Sequence, residues 1–171
     1  LLGSNKISIE KALHYIDQLF EETTTQVSDR DRTFLSLEGA VNYLPEANLA
    51  VISIPGEYAA QETNKALEKG LNVFLFSDNV PIDEEIKFKQ KAHEKKLLVM
   101  GPDCGTAIIK NKGIGFANNV RNGSIGIVAA SGTGTQEVTT LIDRLGSGIT
   151  HALGTGSNDV KDSVKAITMV D

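Results

Sequence analysis

Tryptophan is absent from the 171 residues, and aromatic residues together make up 5% of the chain. Single-stranded nucleic acid is bound on platforms of stacked rings, so this function class is excluded. A formal net charge of −5 argues equally against a phosphate-backbone partner. Cysteine occurs once, at Cys104. One thiol rules out an internal disulfide and fits a reducing cytoplasm. It also rules out a cysteine-based zinc site, and His14, His93 and His151 are too widely spaced for a metal motif. No apolar run approaches the roughly 18–20 residues that a membrane span needs, so no membrane partner is expected. The opening LLGSNKISIE has no charged stretch followed by an apolar one, and it reads as an internal start or a cloning remnant rather than a secretory signal.

What is present is a repeated α/β grammar. Ile9, Ala12, Leu13, Ile16, Leu19 and Phe20 recur at helical spacing, which predicts an amphipathic helix over 8–22 with Ser8 as its cap. TTTQVSDRDRT then reads as an exposed linker. SLEGAVNYL is expected to be a short helix capped by Ser36. LAVISI, NVFLFS and LLVM are apolar runs without polar alternation. Between them stand two helical segments, EYAAQETNKALEKG ending at Gly70 and PIDEEIKFKQKAHEKK entered at Pro81. Such runs, covered on both faces by helices, predict a parallel sheet. The lysines of the second helix, Lys87 to Lys96, read as a solvated face. GPDCGTAIIKNKGIGFANNVRNG has no helical period and is expected to be a long structured connection, with a short strand at GIGFA. The grammar restarts with the strand SIGIVAA, a Gly-rich turn opening the helix SGTGTQEVTTLIDRLG, the strand ITHALG, the loop TGSNDVKD and a helical start at AITMVD. A boundary is expected near Arg121-Asn122-Gly123, and the second unit reads as a fragment, because two strands are too few for a doubly wound sheet.

Three features suit chemistry. In IVAASGTGTQE, Ser131, Gly132, Thr133 and Gly134 follow a strand and open a helix. Backbone N–H groups, hydroxyls and the positive end of the helix dipole converge there, which suits a phosphate or carboxylate. The dinucleotide fingerprint fails because Glu137 stands at the third glycine position, and a P-loop fails for want of Gly-Lys-Ser/Thr. A hydroxyl-capped turn without a ligand reads equally well. Next come the strand ends SIPG, FSDN and MGPDCG, which hold Ser53, Pro55, Ser77, Asp78 and Asp103. Ligands of open parallel sheets bind outside such ends, although ordinary turns use the same residues. Third, Cys104 is a nucleophile, a ligand contact, or a small residue that fits. No base stands near it in sequence, and a catalytic thiolate needs electropositive surroundings.

ALEKGLNVFLFSDNVP, LLVMGPDCGTAII, GFANNVRNGSIGIVAASGTGTQEVTTLIDRLG and THALGTG, in this order and spacing, resemble the FdrA-type proteins, relatives of the α subunit of succinyl-CoA synthetase. The resemblance runs from about Thr33 to the end. It implies a Rossmann-like CoA-binding-type domain over 33–121, preceded by an N-terminal helix and linker over 1–32. The start of a flavodoxin-like ligase domain would follow over 122–171. The synthetase's GPNCPG corresponds to Gly101 through Thr106, its CoA-contacting Ile-Thr-Glu to Phe76-Ser77-Asp78, and its SRSGTLTYE to AASGTGTQE. The resemblance therefore implies contacts to CoA or a related ligand from Ser53, Pro55, Phe76, Ser77, Asp78, Pro102, Asp103 and Cys104. Phosphate or acyl phosphate would bind at Ser131 to Gly134. Cys104 becomes a contact, not a nucleophile.

No catalytic residue is assigned, and the phosphohistidine of the synthetase would lie beyond Asp171. A nucleotide, a partner subunit or an oligomer are implied for the whole protein. Two features depart from the synthetase: no glycine-rich turn precedes Leu49, and Gln136 replaces its tyrosine. Three functions follow as expectations. They are an acyl-CoA ligase, a component of carbamoyl transfer in allantoin or oxamate breakdown taking carbamoyl phosphate, and a non-catalytic ligand-binding or scaffolding subunit.

Overall fold

The computed structural model describes residues 9–11, 13–17 and 32–170. Its contacts divide the chain into two compact units, Leu1–Tyr43 and Leu44–Asp171. In the first unit, residues 9–11 and 13–17 are helical, and the rest of the expected 8–22 helix and its linker lie outside the described residues. Helix α1 (Leu37–Tyr43) starts where expected: Ser36 Oγ accepts the Gly39 N–H at 3.2 Å. Its last residue, Tyr43, packs on Phe34 with ring centroids 5.2 Å apart. No helix of the described residues is long and apolar enough to cross a membrane.

The second unit contains two sheets. The first is parallel in the order β1-β2-β3, from β1 (Leu49–Ile52), β2 (Asn72–Leu75) and β3 (Val99–Met100). Helix α2 (Gly56–Glu68) follows β1 and α3 (Ile82–Lys95) follows β2. The apolar runs are strands for the expected reason: Val73, Phe74, Leu75, Val99 and Met100 are all buried. β1 departs from that reading, because Val51 points out of the core at an edge strand. α2 buries Ala59, Ala60, Thr63, Ala66 and Leu67 at helical spacing. It stops where Gly70, at φ 78°, lets Leu71 N–H donate back to Ala66 O.

The second sheet has the order β5-β4-β7-β6. β6 (Ile125–Ala129) and β7 (Ile149–Gly154) are parallel, joined by α4 (Gly132–Arg144). β4 (Thr106–Ile109) and β5 (Lys112–Gly115) form an antiparallel hairpin, and β4 also pairs antiparallel with β7. The whole hairpin lies inside the expected structured connection, and β5 overlaps the short strand expected at GIGFA. Its two-residue turn is Lys110-Asn111, both at positive φ (48° and 60°), and so lacks the Asn-Gly signature of such turns. Asn111 N–H holds the turn in place by donating to Thr150 O in β7.

The segment at residues 121–123 is fastened. Arg121 donates both its backbone N–H and Nε–H to Asp143 Oδ1 at 2.8 Å, which holds the Asp143 carboxyl below its ordinary range. A Cβ on Gly123 would come within 2.4 Å of Gly148 O, so the two backbones touch there as only glycine allows. Helix α5 (Ile167–Val170) matches the helical start expected at AITMVD and packs on α3.

A second correction concerns α3. Lys89 is not on a solvated face: it is 1% exposed, among buried Glu85, Phe88 and Ala92. Its Nζ donates to Asp159 Oδ1 at 2.8 Å and to Thr155 O at 2.9 Å. Glu85 Oε1 lies 2.9 Å away, off the hydrogen-bond axis, while Asn158 donates to Glu85 Oε2 at 2.9 Å. Asp159 also accepts the N–H groups of Thr168 and Met169, and Thr168 Oγ1 donates to Val99 O. Lys89 and Asp159 together thus gather α3, the loop after β7 and α5.

Candidate functional site

Two chain segments far apart in sequence build one cleft. The first is the loop Gly101–Gly105 after β3. Asp103 N–H donates to Ser77 O at 2.9 Å and Cys104 N–H to Leu75 O at 3.2 Å, which lays the loop along the end of β2. Gly101 makes this possible. It sits at φ 109°, and a Cβ there would stand 2.3 Å from Leu75 O. Ser77 is buried, and its Oγ accepts the Ile54 N–H at 3.0 Å, which draws the end of β1 in beside β2.

The second segment is the start of α4. Ser131 has the extended backbone of a helix cap, and its Oγ accepts the Gly134 N–H at 3.1 Å. Its carbonyl accepts both the N–H and the hydroxyl of Thr135. The cap therefore uses the Gly134 N–H. The N–H groups of Gly132 and Thr133 stand at the first two helical positions, which have no acceptor within a helix. Gln136, one turn on, donates from Nε2 to Thr106 Oγ1 at 2.9 Å and ties α4 to β4.

Between these segments lies a cleft of about 520 Å³. It brings together five residues expected from sequence: Phe76 and Asp103 from the strand ends, and Ser131, Gly132 and Thr133 from the helix start. Gly105 and Ala130 also line it, as does Gln136, which the sequence marks only as a departure from the synthetase. Phe116 and Ser157, which sequence reasoning missed, complete its wall. Phe116 directly follows β5, in the GIGFA stretch expected to be a short strand. Ser157 arrives on a loop that carried no motif, and its Oγ donates to Asp103 Oδ2 at 3.4 Å. Asp103 is the one ionisable group among the residues that line the cleft. The site therefore sets a carboxylate acceptor against the donor N–H groups of α4.

Other candidates do not line the cleft. Ser53, Pro55 and Asp78 are exposed at the ends of β1 and β2. Ser77 is buried beside the loop and Pro102 is buried within it, and Gly134 belongs to the helix cap. Cys104 is corrected from ligand contact to core. It is 2% exposed and packs with Phe74, Met100 and Ala107. A Cβ on Gly154 would lie 2.5 Å from its sulfur, so β7 needs glycine there to pass it. Burial pushes the thiol up to about 11, the reverse of what a nucleophile needs. Among the described residues no cluster suited to a metal ion occurs.

No family model matches the chain. An uncharacterized Escherichia coli K12 protein, YahF, is 45% identical over 169 residues, which is 99% of this chain and 33% of YahF. Subunit alpha 2 of the ADP-forming succinate–CoA ligase of Archaeoglobus fulgidus is 29% identical over 119 residues, covering 67% of this chain and 42% of that subunit. Among solved structures, ATP citrate lyase from Methanothrix soehngenii, in complex with citrate and coenzyme A, superposes with a TM-score of 0.66. The superposition is at 22% identity and covers 72% of this chain and 22% of that one. The fold is thus that of the lyase's matching part, mixed α/β with a parallel sheet. The chain spans a third of the length of YahF and 42% of the ligase subunit.

Proposed function

We propose that this chain is the ligand-binding part of an acid–CoA ligase-type subunit. In this reading the cleft takes the acyl or phosphoryl end of a ligand of the CoA class. One observation carries it: the loop at Gly101–Gly105 and the start of α4, which the resemblance to the synthetase assigns to CoA and to phosphate, line a single cleft. Gly132 and Thr133 would donate to the anion, where the helix dipole also favours negative charge. In the whole protein, a nucleotide and a partner subunit would complete the reaction, as the name of the ligase subunit suggests. Residues 33–121 and 122–171 would correspond to its CoA-binding-type and ligase-type domains.

A second reading rests on Asp103. A dicarboxylate in this cleft would set one of its charges near that carboxylate, with no lysine or arginine in the lining to offset it. A carbamoyl group would instead donate its N–H to Asp103 while the phosphate of carbamoyl phosphate sat on α4. This favours the carbamoyl-transfer component over a ligase acting on succinate.

Amide NMR separates these readings from an empty turn. With inorganic phosphate at millimolar concentration, the Gly132 and Thr133 amides are expected to shift, and the Gly134 amide, held by Ser131, to shift less. With coenzyme A, Phe76 and Asp103 are expected to respond as well. A folded protein whose 131–133 amides ignore both compounds rules the reading out.

A further inference from the structure

We propose that Phe116 sets the ligand preference of the cleft, selecting with Phe76 an anion that carries a planar unsaturated body. The inference rests on the reading of the cleft as an anion site. Its starting point is a ring in an uneconomical place. Phe116 is 67% exposed, whereas Phe74 and Phe88 are at 1% and 0%. Core burial does not explain such a ring, yet the residue is held firmly. Its N–H donates to Gly105 O at 2.8 Å. Gly115, just before it, sits at φ 67° with the site of a Cβ only 2.5 Å from that same carbonyl. The end of the hairpin is thereby pressed onto the loop that builds the cleft.

The ring has one aromatic neighbour in the cleft. Phe116 and Phe76 meet edge to face, with centroids 5.3 Å apart and planes at 68°. Phe76 leans in turn on buried Phe74, at 6.5 Å. Together they form a backed aromatic wall in a cleft whose remaining lining is polar or small. An anion on the Gly132 and Thr133 N–H groups would place whatever it is bonded to inside a cleft of about 520 Å³, within reach of that wall. A bare anion or a one-carbon body leaves the Phe116 ring in water. A planar body covers it, in the offset or edge-on arrangement that aromatic groups prefer.

The test compares methyl phosphate with phenyl phosphate, two esters of like charge that differ in the body. Dissociation constants are read from the Gly132 and Thr133 amides. Phenyl phosphate is expected to bind about two- to tenfold more tightly, the range that aromatic pairing supplies. Phe116→Ala, at an exposed position, is expected to keep the dispersed spectrum of the folded core and to bring the two constants together. Phe116→Trp is expected to restore the preference. If both esters bind equally, or if Phe116→Ala retains the preference, the proposal is overturned and the anion site stands. If neither ester moves the amides of a folded protein, the anion reading falls and this proposal falls with it.

Discussion

Cys104 and Lys89 change meaning once their neighbours are known. The resemblance to the synthetase makes Cys104 a ligand contact and the charged stretch around Lys89 reads as a solvated face, yet each is buried. For Cys104, burial keeps the thiol protonated, with its pKa raised to about 11. Two consequences follow. In the folded protein at pH 8, alkylation by iodoacetamide should be at least about a hundredfold slower than in denaturant, since each unit of pKa removes a factor of ten in thiolate. Stability also acquires a slope at high pH. Between the ordinary thiol range and about 11 the unfolded chain holds fewer protons than the folded one, so stability falls as pH rises through that window. Urea titrations at pH 8 and pH 10.5 on the parent and on Cys104→Ala would show it. The parent should lose more stability than the variant between the two pH values, and equal losses would mean that the thiol is not shielded.

Around Lys89 the relevant scale is the element, because its ammonium ties α3 to the loop after β7 and, through Asp159, to α5. Removing it leaves Glu85 and Asp159 buried side by side without their cation. Breaking a buried ion pair by deleting one partner costs about 3–5 kcal/mol. Lys89→Ala is therefore expected to lower the urea-unfolding free energy by about that amount. The double variant Lys89→Ala with Asp159→Asn should lose less than the two single losses combined, because it leaves one orphaned acid, Glu85, instead of two. Strict additivity in that cycle would show that the pair is not coupled. In sequence Lys89 reads with its neighbours Lys87 to Lys96 as part of a solvated helix face. What hid its burial was Asp159, about seventy residues later. β5 overlaps the strand expected at GIGFA, but β4 and the hairpin pairing have no such signal in the sequence, for a related reason. The hairpin turn, Lys110-Asn111, has weak local turn chemistry and is held by Thr150 from another strand.

At the scale of the whole molecule, the two sheets of residues 44–170 are stitched together. β4, a strand of the second sheet, precedes the expected boundary and pairs with β7 beyond it, so that boundary does not divide the sheets. Thr168 of α5 donates to Val99 of β3, and Lys89 reaches Asp159. Cross-links of this kind make separate melting of the sheets costly. Hydrogen exchange is accordingly expected to give the amides of β2 and β7 the same opening free energy, and urea to unfold both in one transition. Clearly separate transitions would show instead that the β1-β2-β3 sheet and the β5-β4-β7-β6 sheet are independent in stability.

The sequence by itself determined the parallel β1-β2-β3 core, the helices between its strands, and the capped start of α4. These depend on patterns of a few residues: apolar runs, helical periodicity, and a serine three residues before the N–H that it accepts. It also named both halves of the cleft, at Phe76 and Asp103 and at Ser131 to Thr133. The tertiary structure alone decided that these halves face one cleft, that Phe116 and Ser157 join them, that Gly134 serves the cap, and that Cys104 and Lys89 are inside. The physical reason is the same in each case. Burial and facing are set by chain segments that lie dozens of residues apart, and no local pattern encodes which of them will meet.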